Sequence, residues 1–304
     1  MNSGKIAIIG GGRVGMTTAY TLLLKNTARE IVLYDRDVDR MRGEQSDFQD
    51  SLAFVGTTSV TVAESVEALK NSDVIVYTAG AAQKTGQSRL ELANTNKEIM
   101  AAILPPIIKV SPESIILIVA NPVDILVEHA YKILSLPKGR IFGSGTMLDT
   151  ARFRFHLSEE LQVNPRNIHA DILGEHGDSS FPVLSNTNVG GQPLTTMAGA
   201  TSDLVQKAYL KTREEAGTII ATKGATYYAI AIVVNELVTA VVHDTKNIYP
   251  VSVPLTGEYG YSDVALSVPS VIGINGVEKV LEIPLSDEEK QKFNASVQVL
   301  KGLL

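Results

Sequence analysis

The sequence predicts a mixed α/β chain: an N-terminal doubly wound parallel sheet followed by a C-terminal α+β domain. Three observations predict it. Apolar, β-branched runs alternate with helical stretches through the first half. A glycine-rich turn, GGGRVG, closes the first of those runs. Past residue 145 the alternation stops, and long helices and a hairpin signal take over.

The strand candidates are KIAIIG (5–10), EIVLYD (30–35), DVIVYTAG (73–80), SIILIVAN (114–121) and RIFGSG (140–145). Each is continuous rather than alternating, as strands covered by helices on both faces read, so a parallel sheet follows. Helical segments over 13–26 and 94–109 lie between them, which gives the strand–helix–strand repeat of a doubly wound sheet. LDTARFRFHLSEELQ then predicts a long helix, and 202–243 a second helical region. Asn275-Gly276 marks a tight hairpin, and Ser286-Asp-Glu-Glu opens a last helix running to 304. The boundary is expected near 145, giving residues 1–145 as a nucleotide half and 146–304 as a substrate half.

The chain has 304 residues, enough for one large or two ordinary domains. Its 27 Lys and Arg against 33 Asp and Glu leave a net charge of -6. That balance argues against nucleic acid, which needs a cationic footprint. No run reaches membrane-spanning length, so no membrane partner is expected. Cysteine is absent, which rules out disulfides, thiol catalysis and thiolate metal sites and fits a reducing cytoplasm. No metal site is evident.

Gly10, Gly12 and Gly15 form G-x-G-x-x-G between the first strand and the first helix. In a Rossmann sheet the first glycine allows the tight turn, the second lets backbone N–H groups approach a pyrophosphate, and the third lets helix and strand pack closely. The helix N-terminus adds partial positive charge. Asp35 closes the second strand. A carboxylate there accepts from ribose hydroxyls and repels a 2′-phosphate, so NAD is the expected cofactor.

Ligands of such a sheet bind beyond the carboxyl ends of its strands. TAGAAQKTGQSR, a loop of small residues ending in Arg89, follows one strand; VANPVD presents Asn121; GSGTMLDTARFR carries Asp149 and Arg152, three apart on one helix face. DILGEHGDSS holds His176. Together these fit hydride transfer between nicotinamide and a 2-hydroxy acid. Arg152 grips the carboxylate through a two-pronged pair. His176 exchanges the hydroxyl proton, Asp149 fixes its tautomer, and Arg89 polarises the carbonyl. His129, His156 and His243 have no partner that the sequence identifies.

GSGTMLDTARFRF, ILGEHGDSSFPV, VANPVDIL and KGATYYAIA resemble the signatures of the L-lactate dehydrogenase family, within the lactate/malate dehydrogenase superfamily, and the likeness runs nearly the whole chain. The resemblance implies the same roles for His176, Asp149, Arg152 and Arg89. It adds Asn121, Asp124 and Thr226 as substrate contacts, with Ile230 against the nicotinamide. It matches Val14, Arg40, Gly80, Ala81, Val119, Asn121 and Ser144 to cofactor contacts. Malate enzymes carry arginine where this chain has Gln83, so the resemblance favours pyruvate and L-lactate over oxaloacetate, with malate dehydrogenase or another L-2-hydroxyacid dehydrogenase as the alternative. Arg154 and His169 match positions that hold a fructose 1,6-bisphosphate effector across a subunit interface, which implies a homotetramer. An NAD-dependent glycoside hydrolase would need a metal, usually with a cysteine ligand, and a non-catalytic dinucleotide sensor would need no proton carrier.

Overall fold

The computed structural model describes residues 4–82 and 88–304. Gln83, the expected selector of substrate, lies outside the described residues, as does the rest of its loop through Gln87.

The first half contributes β1 (Lys5–Ile9), β2 (Glu30–Tyr34), β3 (Ser59–Val62), β4 (Val74–Tyr77), β5 (Ile115–Ile118) and β6 (Ile141–Gly143). Adjacent strands in this set pair in parallel. Helices α1 (Arg13–Lys25), α2 (Val38–Ser51), α3 (Arg89–Val110) and α4 (Val123–Leu134) connect them. The second half begins with α5 (Met147–Leu161). Short strands follow: β7 (Ile168–His169), β8 (Ile172–Leu173), β9 (Phe181–Pro182), β10 (Asn188–Val189) and β11 (Gln192–Pro193). Then come α6 (Ser202–Lys223), α7 (Tyr228–Val242), β12 (Asn247–Thr256), β13 (Ser262–Gly273), β14 (Gly276–Val280) and α8 (Asp287–Lys301).

The main sheet runs β14-β13-β12-β6-β5-β4-β1-β2-β3. Its parallel part has the doubly wound order, with β1 between β2 and β4 at the point where the winding reverses, and that point is where such sheets bind ligands. The antiparallel β12–β14 extend the same sheet from the second half, through a Ser252–Gly143 bridge. One buried cluster accordingly unites Ile6, Leu22 and Phe142 with Leu237, Val268 and Phe293 from the second half. A separate cluster around Phe153, Leu157 and Val205 packs α5 against α6.

Several expectations are corrected. The edge strand β3 was not foreseen. Only Val60 of its residues is fully buried, so it lacks the continuous apolar run that marks the inner strands. Helix α3 starts at Arg89 rather than 94 because Ser88 and Glu91 form a reciprocal capping box. The region 202–243 is two helices. Gly224, at φ 86, ends α6 in the left-handed conformation glycine tolerates, and its N–H bonds Ile220. The hairpin turn sits one residue early: Gly273 pairs with Gly276, so Ile274 and Asn275 form the loop. Gly276, at φ 84, follows it, the arrangement of a turn closed by a glycine bulge.

Candidate active site

The glycine turn is built as its spacing requires. A Cβ at Gly10 would press on the backbone of Ala79, and one at Gly15 would be driven into the Gly10 carbonyl oxygen. Gly12 is the N-cap of α1, and a Cβ there would meet open space. The N-terminus of α1 is thus open to an anion. Asp35 Oδ2 accepts from the Gly11 N–H at 2.7 Å, and Oδ1 accepts from the Asp37 N–H at 3.0 Å. Lone pairs remain on both oxygens for ribose hydroxyls. The Arg40 guanidinium donates to the Gly11 carbonyl. These features fit a dinucleotide. Gly80 and Ala81 follow β4, and Ala81 N–H donates to Asn96 Oδ1 at 2.7 Å. Asn96 Nδ2 donates onward to the Asn121 carbonyl at 2.7 Å. A buried amide on α3 therefore ties the loops after β4 and β5 together.

Beyond the same strand ends lies a cavity of about 300 Å³. Val14, Val119, Asn121, Ser144, Asp149, Arg152, His176, Thr226 and Ile230 all line it, so residues far apart in the chain meet as expected. Helix α5 projects Asp149 and Arg152 together. His176 follows β8 and Gly174. Gly174, at φ 94, forms a two-way backbone bridge with Ser267 of β13, so the main sheet itself carries the histidine loop. The break between α6 and α7 places Thr226 on the wall.

His176 Nδ1 lies 2.7 Å from Asp149 Oδ2, and Arg152 Nη1 donates to Asp149 Oδ1 at 3.2 Å. With the aspartate accepting, the proton sits on Nδ1 and Nε2 is the nitrogen offered to a ligand. Burial works against the imidazolium, but the charge and hydrogen bond of Asp149, helped by Asp124, outweigh it and raise the His176 pKa. Burial likewise opposes the Asp149 anion, and His176 and Arg152 together hold its pKa below the usual range. The arrangement is a hydrogen-bonded acid/base beside a cation able to grip a carboxylate.

Three expected residues stand differently. Asp124 is not on this wall. It is 3% exposed, behind the histidine, where Oδ2 accepts from the His176 backbone N–H at 2.7 Å and Oδ1 from Ser252 Oγ at 2.6 Å. Arg89 is also off the wall, since its Nη1 pairs with the buried Glu175 at 3.0 Å and with Asp178 at 3.8 Å. Arg154 is not free, because it donates to the Ala170 carbonyl at 2.8 Å and to Asp171 Oδ1 at 3.0 Å, while His169 is exposed on β7.

Sequence reasoning missed a whole side of the cavity. Tyr209, Thr212, Arg213, Ala216 and Ile220 line it from α6. Their spacing is one helical stripe, legible in the sequence but without a strand end to attach it to. Asp178 and Ser180 also line it. His156 gains partners the sequence did not reveal: its ring nitrogens lie 3.4 Å from Glu159 and 3.4 Å from Glu215. Among the described residues no group of three His, Cys, Asp or Glu side chains could hold a metal ion, and no helix is long and apolar enough to cross a membrane.

Comparison with known proteins agrees with this geometry. Residues 4–143 match the profile of the lactate/malate dehydrogenase NAD binding domain, and residues 146–304 match that of the lactate/malate dehydrogenase alpha/beta C-terminal domain. The L-lactate dehydrogenase of Thermoanaerobacter sp. is 46% identical over 99% of this chain and 98% of its own. L-lactate dehydrogenase 1 of Clostridium acetobutylicum is 43% identical over 99% and 97%. The ligand-bound crystal structure of the minor L-lactate dehydrogenase from Enterococcus mundtii superposes with a TM-score of 0.95 at 35% identity, covering 100% of this chain and 98% of the other. Fold, cradle, histidine–aspartate pair and sequence similarity converge: the chain belongs to the lactate/malate dehydrogenase family and is an NAD-dependent oxidoreductase.

Proposed function

We propose that the chain interconverts L-lactate and pyruvate. The observation that carries this reading is the 2.7 Å bond between His176 and Asp149 in a cavity that Arg152 also lines. Bound nicotinamide would supply the hydride for reduction and accept it in oxidation. Gly12 and the α1 N-terminus would hold its pyrophosphate, with Gly10 and Gly15 shaping the turn. Asp35 would hold the adenosine ribose, and Arg40, Gly80, Ala81 and Val119 the flanks. Val14, Asn121, Ser144 and Ile230 would face the nicotinamide end.

His176 gives a proton from Nε2 to the carbonyl oxygen during reduction and takes it back from the hydroxyl in oxidation. Asp149 keeps the ring in the productive tautomer and stabilises the imidazolium. Arg152 binds the carboxylate, Asn121 and Thr226 close the pocket round it, and Arg89, once released from Glu175 and Asp178, polarises the carbonyl oxygen. Gln83 sets the preference for a neutral substrate tail. Residues 1–145 thus act as the nucleotide half and 146–304 as the substrate half. An assay of NADH consumption with pyruvate, oxaloacetate and a bulkier 2-oxo acid tests the reading. A clear preference for oxaloacetate would make the chain a malate dehydrogenase instead.

We further assign a cytoplasmic homotetramer with a fructose 1,6-bisphosphate site at Arg154 and His169. Arg154 already pairs with Asp171, so a carboxylate opposes the effector phosphate there, and activation is expected to be weak and salt-sensitive. Sedimentation and pyruvate saturation with and without the effector decide it, and an unchanged pyruvate half-saturation would remove the site.

A further inference from the structure

Asp124 is a buried carboxylate bonded to the backbone of the candidate catalytic histidine, and it is not among the residues that line the cavity. It stands in the first turn of α4, 3% exposed. Ser252 Oγ donates to one oxygen at 2.6 Å and the His176 backbone N–H to the other at 2.7 Å. The helix N-terminus favours an anion there. The charged groups acting on it are His176, which favours its anion, and Glu175, which opposes it. A neutral acceptor would hold the same N–H at smaller desolvation cost. The charge is therefore the feature that needs a reason, and the adjoining imidazole supplies one.

We infer that Asp124 is a positioning residue for His176: it fixes the backbone from which the ring projects and adds a second anion, beyond Asp149, that favours the imidazolium. This rests on reading His176 as the proton carrier. The other charged groups facing the histidine are Asp149 and Arg152 from α5, Glu175 and Asp178 in its own loop, Arg89 at the start of α3 and Arg213 on α6. Asp149 meets the ring directly. Asp124 meets its backbone N–H, so two anions held by two different helices act on one histidine.

The test is Asp124→Asn in the full-length enzyme. Asparagine keeps the shape, can accept the His176 N–H through its oxygen and can donate to Ser252 Oγ through its nitrogen. The pH profile of kcat/KM for pyruvate reduction is compared with wild type, with kcat and KM resolved separately. The alkaline limb should move to lower pH by roughly half a unit or more, with the change carried by KM, because the ketone binds to the protonated ring. A limb that stays in place while the melting temperature falls would reduce Asp124 to a structural residue and overturn the inference. His176→Asn separates the two claims: if that variant keeps the limb, the proton-carrier reading itself fails. Should Asp124→Asn not fold, the imidazole Cε1–H resonance of His176 in the wild-type enzyme decides. It should show a second inflection near pH 6, where burial places the Asp124 titration at about 6, and a single inflection would overturn the inference.

Discussion

Asp149 serves two partners with its two oxygens: Oδ2 meets His176 Nδ1 at 2.7 Å, and Oδ1 accepts from Arg152 Nη1 at 3.2 Å. The carboxylate thus fixes both the candidate proton carrier and the cation beside it, and helix α5 supplies two of the three groups. The sign of the pH dependence follows. The His176 pKa is raised despite burial, so the imidazolium is present below the raised value and lost as pH rises through it. Pyruvate reduction should therefore decline on that limb, and lactate oxidation, which needs the neutral ring, should rise across it. Rate profiles in both directions check this; limbs of the same sign would rule out a single shared group. The pair's contribution to stability is likewise complete only between the carboxylate and the ordinary histidine ranges: it fades as pH climbs through the raised His176 value and again as pH falls through the lowered Asp149 value.

Replacing Asp149 by Asn keeps the shape but offers an amide where the ring needs an acceptor. The opposite tautomer becomes available, and the imidazolium loses its nearest anion. We expect kcat/KM to fall by about 10²–10⁴, with the alkaline limb moving to lower pH and the secondary structure by circular dichroism unchanged. A loss of less than about threefold would mean that Asp149 only packs.

The sequence made the nucleotide half readable because glycine spacing and strand-end residues act locally. Gly10, Gly12, Gly15 and Asp35 sit within one strand–helix–strand unit, and their order is their geometry. His176, Asp149 and Arg152 were readable as residue types at strand ends, although nothing local says that residues 149 and 176 touch. What was not readable is tertiary. Asp124 is a substrate contact by resemblance alone, yet the first turn of α4 sets it against the His176 backbone N–H. Arg89 looked free because its partner, the buried Glu175, is remote in the sequence and is reached only through the fold. The α6 stripe gave no sign of the cavity it covers, because a half-polar wall of a site and an ordinary surface helix read alike.

Arg152 is 9% exposed and already held by Asp149. Its planar fork can face a carboxylate in two parallel hydrogen bonds, which an ammonium cannot reproduce. Arg152→Lys should raise KM for pyruvate and cost roughly 100-fold in kcat/KM, as expected when a charge-assisted pair worth about 2–3 kcal/mol is broken. Binding of NADH, followed by its fluorescence, should hardly change. Equal losses for pyruvate and NADH would assign Arg152 to the fold rather than to the substrate.

Gln83→Arg tests the substrate reading independently of Arg152. A second carboxylate on the substrate needs a second cation, and the amide at 83 supplies none. The variant should swing the ratio of kcat/KM toward oxaloacetate by about tenfold or more, the order of one charge-assisted hydrogen bond. Lys84, next in the sequence, is already cationic, so the shift measures what an arginine at 83 adds to it. An unchanged ratio would move the selector elsewhere, with Arg213 on the cavity wall the next residue to exchange.

Gly15 offers a test of the cradle that does not involve proton transfer. Its backbone lies so close to Gly10 that an added Cβ would enter the Gly10 carbonyl oxygen, and Thr78 Oγ1 would be 2.8 Å away. Neither atom is the far end of a flexible chain: one is backbone, and the Thr78 hydroxyl is tied to the Ile9 and Gly10 carbonyls at 3.0 Å each. Gly15→Ala must therefore push α1 away from β1, which costs about 1–3 kcal/mol in a packed core. The same shift moves the helix N-terminus that faces the pyrophosphate. The variant should melt several degrees lower and bind NADH at least tenfold more weakly, while kcat at saturating NADH falls far less. A lower melting temperature with unaltered NADH affinity would show that helix packing and phosphate binding are separable, and the cradle would then have to be assigned to Gly12 alone.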